Sequence, residues 1–174
     1  TMLERVVRLI SEVVSPVVVI SSVGQELPPL ASEIIVVHDT HPNAGPLGGL
    51  SAGLNALSGE VDAVYATSCD APFLQPAFVQ AMVSSLGTAD LAIPKDGDYH
   101  HPLAAVYRTS LASTIDDLLS AGVRRPVALL ECATVVEVDV ECLRHSDPGL
   151  ESLRNLNTPD DYQEALSDAG FLNP

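Results

Sequence analysis

Apolar residues recur along this chain in two rhythms. At the start, Leu3, Val6, Val7, Ile10 and Val14 fall on one face at helical period. Thr1 and Glu4 have the spacing of a capping box. A helix is predicted over residues 1–13, ended by Pro16. Short uninterrupted apolar runs follow: "VVVISS" (17–22), "EIIVVHD" (33–39) and "VDAVYATSCD" (61–70). Continuous, β-branched runs of this kind read as strands buried on both faces. "ADLAIPK" (89–95), "PLAAVYR" (102–108) and "TVVEVDV" (134–140) add three more strands. The turn "DGDYHH" (96–101) joins two of them, as in an antiparallel hairpin.

Helical pattern returns over 47–58, after Pro76 within 72–86, over 109–122 with Gly122 as its stop, and over 125–132. A last helix is predicted over 158–170, with Thr158 as N-cap, Pro159 in its first turn and Gly170 at its end. The order is α-β-β-α-β-α-β-β-α-α-β-α. Such alternation predicts a mostly parallel sheet covered by helices on both faces. The 174 residues suit one domain, 1–174, with no internal repeat or linker.

Bulk properties narrow the function. Apolar residues make up 47% and charged residues 18%, a globular composition. The formal charge of −15 repels phosphate backbones, which argues against a general nucleic-acid binder. Cys69, Cys132 and Cys142 are odd in number and lack CxxC spacing, so neither a disulfide framework nor a zinc knuckle is indicated. A reducing compartment fits them. No apolar run approaches about 18 residues, so no membrane span is expected and a cytoplasmic location is.

Parallel α/β sheets bind ligands beyond the C-terminal ends of their strands. Asp39 and Asp70 both end predicted strands. In "CDAPFL" (69–74), Asp70 precedes Pro72 on a tight turn. A carboxylate there can hold Mg²⁺, which takes one or two carboxylates plus substrate phosphates. It could equally cap the next helical segment. "AGPLGGLSAGL" (44–54) places glycines in a helix, where each costs about 1 kcal/mol against alanine. Gly45, Gly48 and Gly49 would let a ligand approach the main chain, with free helix N–H groups for an anion. Gly53, one turn in, is better explained by close helix–sheet packing. His100 and His101 read as a solvated turn pair. Asn155 and Asn157 in "NLNTPDDY" (155–162) read as a helix start, although amides there could also reach a ligand.

In order and spacing, "GPLGGLSAGL", "CDAPFL", "HPLAAVYR" and "NLNTPDDY" resemble the MobA family, the molybdenum cofactor guanylyltransferases. "AGVRRPVALLE" (121–131) is similar to that family's segment before its late strand. The resemblance implies a Rossmann-like three-layer α/β/α fold of the nucleotide-diphospho-sugar transferase type, its mostly parallel sheet carrying one antiparallel strand. It implies transfer of GMP from GTP to molybdopterin, with Mg²⁺ as cofactor, release of pyrophosphate, and molybdoenzymes as acceptors of the product. By that pattern Asp70 is the catalytic, Mg²⁺-holding carboxylate. Asp39, Gly45, Pro46, Leu47, Gly48, Gly49 and Asp70 line the nucleotide. His101, Asn155 and Asn157 lie toward the pterin. Other readings are a cytidylyltransferase or another nucleotidyltransferase of this fold, and a non-catalytic molybdopterin-binding homologue.

One departure stands out. The family opens with a strand and a glycine-rich loop of the "LAGGxSxRMGxDK" type, which binds the triphosphate through its N–H groups, arginine and lysine. This sequence opens at the helix that should follow, and Lys95 is its only lysine. The absent strand would be central. Its loss is expected to leave unpaired main-chain groups and an open core, requiring rearrangement or a partner strand.

Overall fold

The first helix forms where the apolar face and the capping pair place it. In the computed structural model, which describes residues 1–39, 41, 44–156, 158, 160, 161 and 163, α1 spans Met2–Ser11. The Thr1 hydroxyl accepts from the Glu4 amide at 3.3 Å, and Val6 and Ile10 are buried beneath the helix. Strands β1 (Val18–Ser22) and β2 (Ile35–Asp39) pair in parallel, from Val18 opposite Ile35 to Ser22 opposite Asp39. Helix α2 (Gly45–Leu57) then returns the chain to the start of β3 (Ala63–Thr67).

Helix α3 (Pro76–Ser85) follows, then β4 (Leu91–Asp96), β5 (Tyr99–His100) and β6 (Ala104–Arg108). Helix α4 (Ala112–Ser120), β7 (Val135–Asp139) and the single turn α5 (Val140–Leu143) complete the main elements. The segment predicted as a helix over 109–122 opens as a 3-10 turn at Thr109–Leu111, and that over 125–132 is a 3-10 helix, Pro126–Glu131. The predicted helix 158–170 falls largely outside the described residues. Its start is described: the Thr158 hydroxyl accepts from the Asp161 amide at 3.1 Å.

Strand β6 is antiparallel to both β3 and β4, while β7 is parallel to β4. Strands β3, β4 and β7 therefore run one way and β6 the other, as does the two-residue β5, so the mixed sheet carries this short second antiparallel strand beyond the one expected. The β4–β5 hairpin turns at Gly97, whose φ of +55° is the left-handed conformation that glycine adopts without strain. Side chains alternate across β4 and β6. Leu91, Ile93, Ala105 and Tyr107 meet α2 and α4, whereas Ala92, Ala104 and Val106 meet α3 and α5. Both faces are covered, which is why these strands read as unbroken apolar runs. Leu47, Leu54, Phe78 and Ile115 are fully buried in the resulting layers. Full burial of such a side chain stabilises by about 1.5–3 kcal/mol.

The sheet is not continuous. Strands β1 and β2 form one two-stranded sheet, and β3 to β7 form another. Two expectations fail for this reason. Strand β2 is not buried on both faces: it is an outer strand, with Ile35 39% and Val36 43% exposed. Strand β3 is only partly buried at all five positions, because among the described residues one of its edges has no neighbouring strand. No helix among the described residues is long and apolar enough to cross a membrane.

Candidate functional site

Two carboxylates and one glycine turn define the site. Asp39 ends β2, and its Oδ1 accepts from the His41 amide at 2.8 Å, an Asx-type turn that fixes the carboxylate. Helix α2 begins against it. A Cβ on Gly48 would stand 3.0 and 3.2 Å from the two Asp39 oxygens and 2.6 Å from the Ala44 Cβ. Glycine is thus required at 48 by close approach, and at 45 by a φ of +63°. The Arg124 carbonyl closes over Gly45, 3.5 Å from where a Cβ would stand. Gly49 and Gly53 differ. A Cβ on either would meet Ile20 at 3.7 Å, an ordinary contact, so close packing does not demand glycine at 53.

Among the described residues no side chain caps α2 at Ala44, and its first turn holds no acidic residue. Its positive end is therefore not neutralised by an acid of that turn. Pro46 lines the adjoining cleft. The Leu47 side chain is taken up by the core, which leaves its main chain as the part set in the first turn.

Asp70 lies past the end of β3. The helix-capping alternative is not what forms: α3 starts at Pro76 with Gln75 as its N-cap and no side-chain cap. Instead the Ser68 hydroxyl donates to Asp70 Oδ1, and the Asp70 carbonyl accepts from the Leu156 amide at 2.8 Å. Asn155 is thereby held one residue from the Asp70 turn, with its side chain exposed. Asn157 lies outside the described residues. His101 is partly buried at the turn between β5 and β6. Its amide donates to the Pro94 carbonyl at 3.0 Å, and its ring meets Tyr99 edge-on at 4.8 Å. Burial holds the His101 imidazole below its ordinary pKa, the Asp96 charge opposing and His100 assisting. His100 is not simply solvated: its Nε2 lies 2.5 Å from Glu137 Oε1, and Lys95 pairs with the same carboxylate at 2.8 Å.

Several supports of the Asp70 turn have no local signature in the sequence. Arg5 Nε donates to the Pro72 carbonyl at 2.5 Å. The guanidinium groups of Arg5 and Arg154 lie 6.0 and 5.3 Å from the Phe73 ring centre, in cation–π range. Buried Asp147 accepts from the Ser152 amide at 2.8 Å, and the Ser152 hydroxyl accepts from the Gln75 amide at 2.9 Å. That chain fastens the segment leading to Asn155 onto the start of α3.

Among the described residues no group of three or more His, Cys, Asp or Glu side chains could hold a metal. The donors at the site are single carboxylates. They suit Mg²⁺, which keeps several waters and binds through one or two carboxylates plus phosphate oxygens. They do not suit a metal needing an all-protein cage.

The MobA-like NTP transferase domain matches residues 1–136. A probable molybdenum cofactor guanylyltransferase from Chloroflexus aggregans is 32% identical over 99% of this chain and 82% of its own length. One from Mycobacterium avium is 34% identical over 97% of this chain and 82% of its own. Among solved structures, molybdopterin-guanine dinucleotide biosynthesis protein A from Archaeoglobus fulgidus superposes with a TM-score of 0.68 at 30% identity, covering 79% of this chain and 69% of that one. The 2-C-methyl-D-erythritol 4-phosphate cytidylyltransferase from Thermus thermophilus superposes with a TM-score of 0.73 over 98% of this chain and 89% of its own; at 16% identity it shows the fold alone. This chain belongs to the family of MobA-like NTP transferase domains.

Proposed function

We propose that this chain carries the site of a Mg²⁺-dependent guanylyltransferase that joins GMP to molybdopterin, for delivery to molybdoenzymes. The observation that carries the reading is the hydrogen bond from Leu156 to Asp70, which brings the "CDAPFL" turn and the "NLN" segment together. A nucleotide lies against the Gly45–Gly49 turn, its phosphates toward the start of α2 and its sugar or base toward Asp39. Asp70 holds Mg²⁺, oriented by the Ser68 hydroxyl. Asn155 and His101 face the pterin, the side to which the resemblance also assigns Asn157.

In the reaction, a phosphate oxygen of molybdopterin forms a bond to the α-phosphorus of GTP, and the bond to the bridging oxygen of the β-phosphate breaks. Pyrophosphate leaves with the electron pair. Mg²⁺, when bound, neutralises charge on the phosphate oxygens. The residues of this chain contribute position: glycines that admit the nucleotide, carboxylates fixed by Ser68 and His41, and amides that orient the acceptor. Calorimetric titration with GTP and with CTP, each with and without Mg²⁺, tests the reading. Mg²⁺-dependent binding of GTP in preference to CTP is expected. Tighter CTP binding would move the chain to the cytidylyl class, and binding of neither with retained molybdopterin binding would make it a non-catalytic holder.

A further inference from the structure

We propose that Glu137, on β7, is a positioning residue for the acceptor: it binds Lys95 and His100 of the β4–β5 hairpin together and so fixes the direction of the next residue, His101. The inference rests on the pterin-side place given to His101 in the proposed function. Glu137 Oε2 accepts from Lys95 Nζ at 2.8 Å, and its Oε1 lies 2.5 Å from His100 Nε2. A carboxylate only accepts, so Nε2 carries the hydrogen and donates. One side chain of β7 thus reaches across β4 to β5 with both oxygens engaged.

Register puts the three groups on one face. Glu137 stands opposite Ile93, and Lys95, two residues on, stands opposite His100. Ile93 packs with α2 and α4, so the clamp lies on that side of the sheet. His101 belongs to the other side. Its amide continues the ladder to the Pro94 carbonyl at 3.0 Å, and its ring meets that of Tyr99, two residues back, at 4.8 Å. Successive side chains of a strand point to opposite faces. A clamp that holds His100 toward α2 therefore holds His101 toward α3 and α5. Leu150 and Leu153, on the way to Asn155, pack on that same side. The hairpin has little else to fix its rotation: β5 is two residues long, it pairs with β4 only at His100 and Tyr99, and Tyr99 is 65% exposed. The clamp adds little to global stability, because Lys95 and Glu137 are 35% and 42% exposed and such pairs are screened by solvent. Its contribution is direction.

Three variants of the full chain test it. Glu137→Gln keeps the length of the side chain but leaves one oxygen for two donors. His100→Leu removes the ring donor. His100→Gln is the conservative rescue, because its amide nitrogen can donate to Glu137 from nearly the place of Nε2. By NMR, the His101 ring, whose pKa burial holds low in the wild type, is expected to titrate closer to an exposed histidine in Glu137→Gln and His100→Leu, and as in the wild type in His100→Gln. In transfer assays the KM for molybdopterin is expected to rise roughly tenfold or more in the first two variants, the scale of a small misplacement, with the KM for GTP unchanged. The thermal midpoint of Glu137→Gln should stay within a few degrees. An unmoved His101 titration overturns the proposal. So do equal rises in both KM values, or a lowered midpoint with unchanged kinetics, which are what a merely structural Glu137 would give. A moved titration with an unchanged molybdopterin KM also overturns it, by taking His101 off the acceptor side. Wild-type protein that transfers nothing fails the proposed function itself, and the titration alone then decides whether Glu137 directs His101.

Discussion

The main-chain amide of Leu156 donates to the carbonyl of Asp70 at 2.8 Å, across 86 residues of sequence. The bond holds the Asp70 turn from its main-chain side and leaves the carboxylate to Ser68 and, in the proposed function, to Mg²⁺. The Asp70→Asn variant separates these roles. Asparagine keeps an oxygen for the Ser68 hydroxyl and leaves the Leu156 bond intact, so the thermal midpoint is expected to stay within a few degrees. Transfer should fall by roughly two orders of magnitude or more, the scale of losing a metal's charge stabilisation of several kcal/mol. A Mg²⁺ titration of single-turnover transfer checks it. Wild-type rates in the variant would remove Asp70 from the metal site.

Two glycines in one helix should respond in opposite ways. At Gly48 a methyl group would stand 2.6 Å from the Ala44 Cβ and about as close to Asp39 as a hydrogen-bonding atom. Gly48→Ala is expected to cost about 1–3 kcal/mol through overpacking and to displace the Asp39 carboxylate. At Gly53 the nearest atoms are Ile20 Cδ1 and Cγ1, at 3.7 and 3.8 Å. Gly53→Ala should be neutral or stabilise by up to about 1 kcal/mol, since alanine favours the helix. Denaturant midpoints of the two variants decide it, and a reversed order would mean that the cleft side of α2 is tighter than this geometry.

The sequence carried the fold where both faces of a strand are covered. Leu91–Ile93 and Ala104–Tyr107 read as strands, and the structure buries them. It misled at β2, whose apolar run looks the same although Ile35 and Val36 face outward. Composition registers a strand's affinity for cover, not whether cover is present. The candidate site was legible in its local parts, glycines opening α2 and an aspartate past a strand at 70, but not in the positive φ that demands glycine at 45. Gly53 was less so, because a glycine required by packing and one with room for a methyl group look alike in sequence. Least legible were Asp147, Ser152 and Gln75, linked over 77 residues between Gln75 and Ser152. Hydrogen bonds of that span leave no period and no spacing to read.

Protonation of His101 should make stability depend on pH. Burial is the main cause of its lowered pKa, so the folded state favours the neutral ring, while the unfolded chain titrates near 6.5. The unfolded state therefore binds more protons below about pH 6.5, and acid favours unfolding. The contribution is fully present above that value and is lost as pH falls through the window down to the folded pKa. In His101→Gln this component vanishes. Denaturation free energies at pH 7.5 and 5.5 should fall further for the wild type than for the variant. An equal fall in both would show that the His101 ring is not desolvated.

Two tyrosines offer a last contrast. The Tyr107 hydroxyl donates to the Pro102 carbonyl at 2.7 Å. Tyr107→Phe removes that bond and leaves a carbonyl with one partner fewer, an expected loss of about 1 kcal/mol. The Tyr65 hydroxyl is buried and has no hydrogen-bond partner among the described residues, and the Thr67 hydroxyl two positions on is in the same state. Burial, with the Asp147 charge adding to it, raises the Tyr65 pKa, so the phenol stays protonated and its donor stays unsatisfied. A buried unmade hydrogen bond costs about 1–3 kcal/mol, and Tyr65→Phe removes it without opening a cavity. That variant should be neutral or more stable by up to about 1–2 kcal/mol. Urea midpoints at unchanged slope report the difference. If Tyr65→Phe destabilised the protein more than Tyr107→Phe, the Tyr65 hydroxyl would have to be hydrogen-bonded in solution.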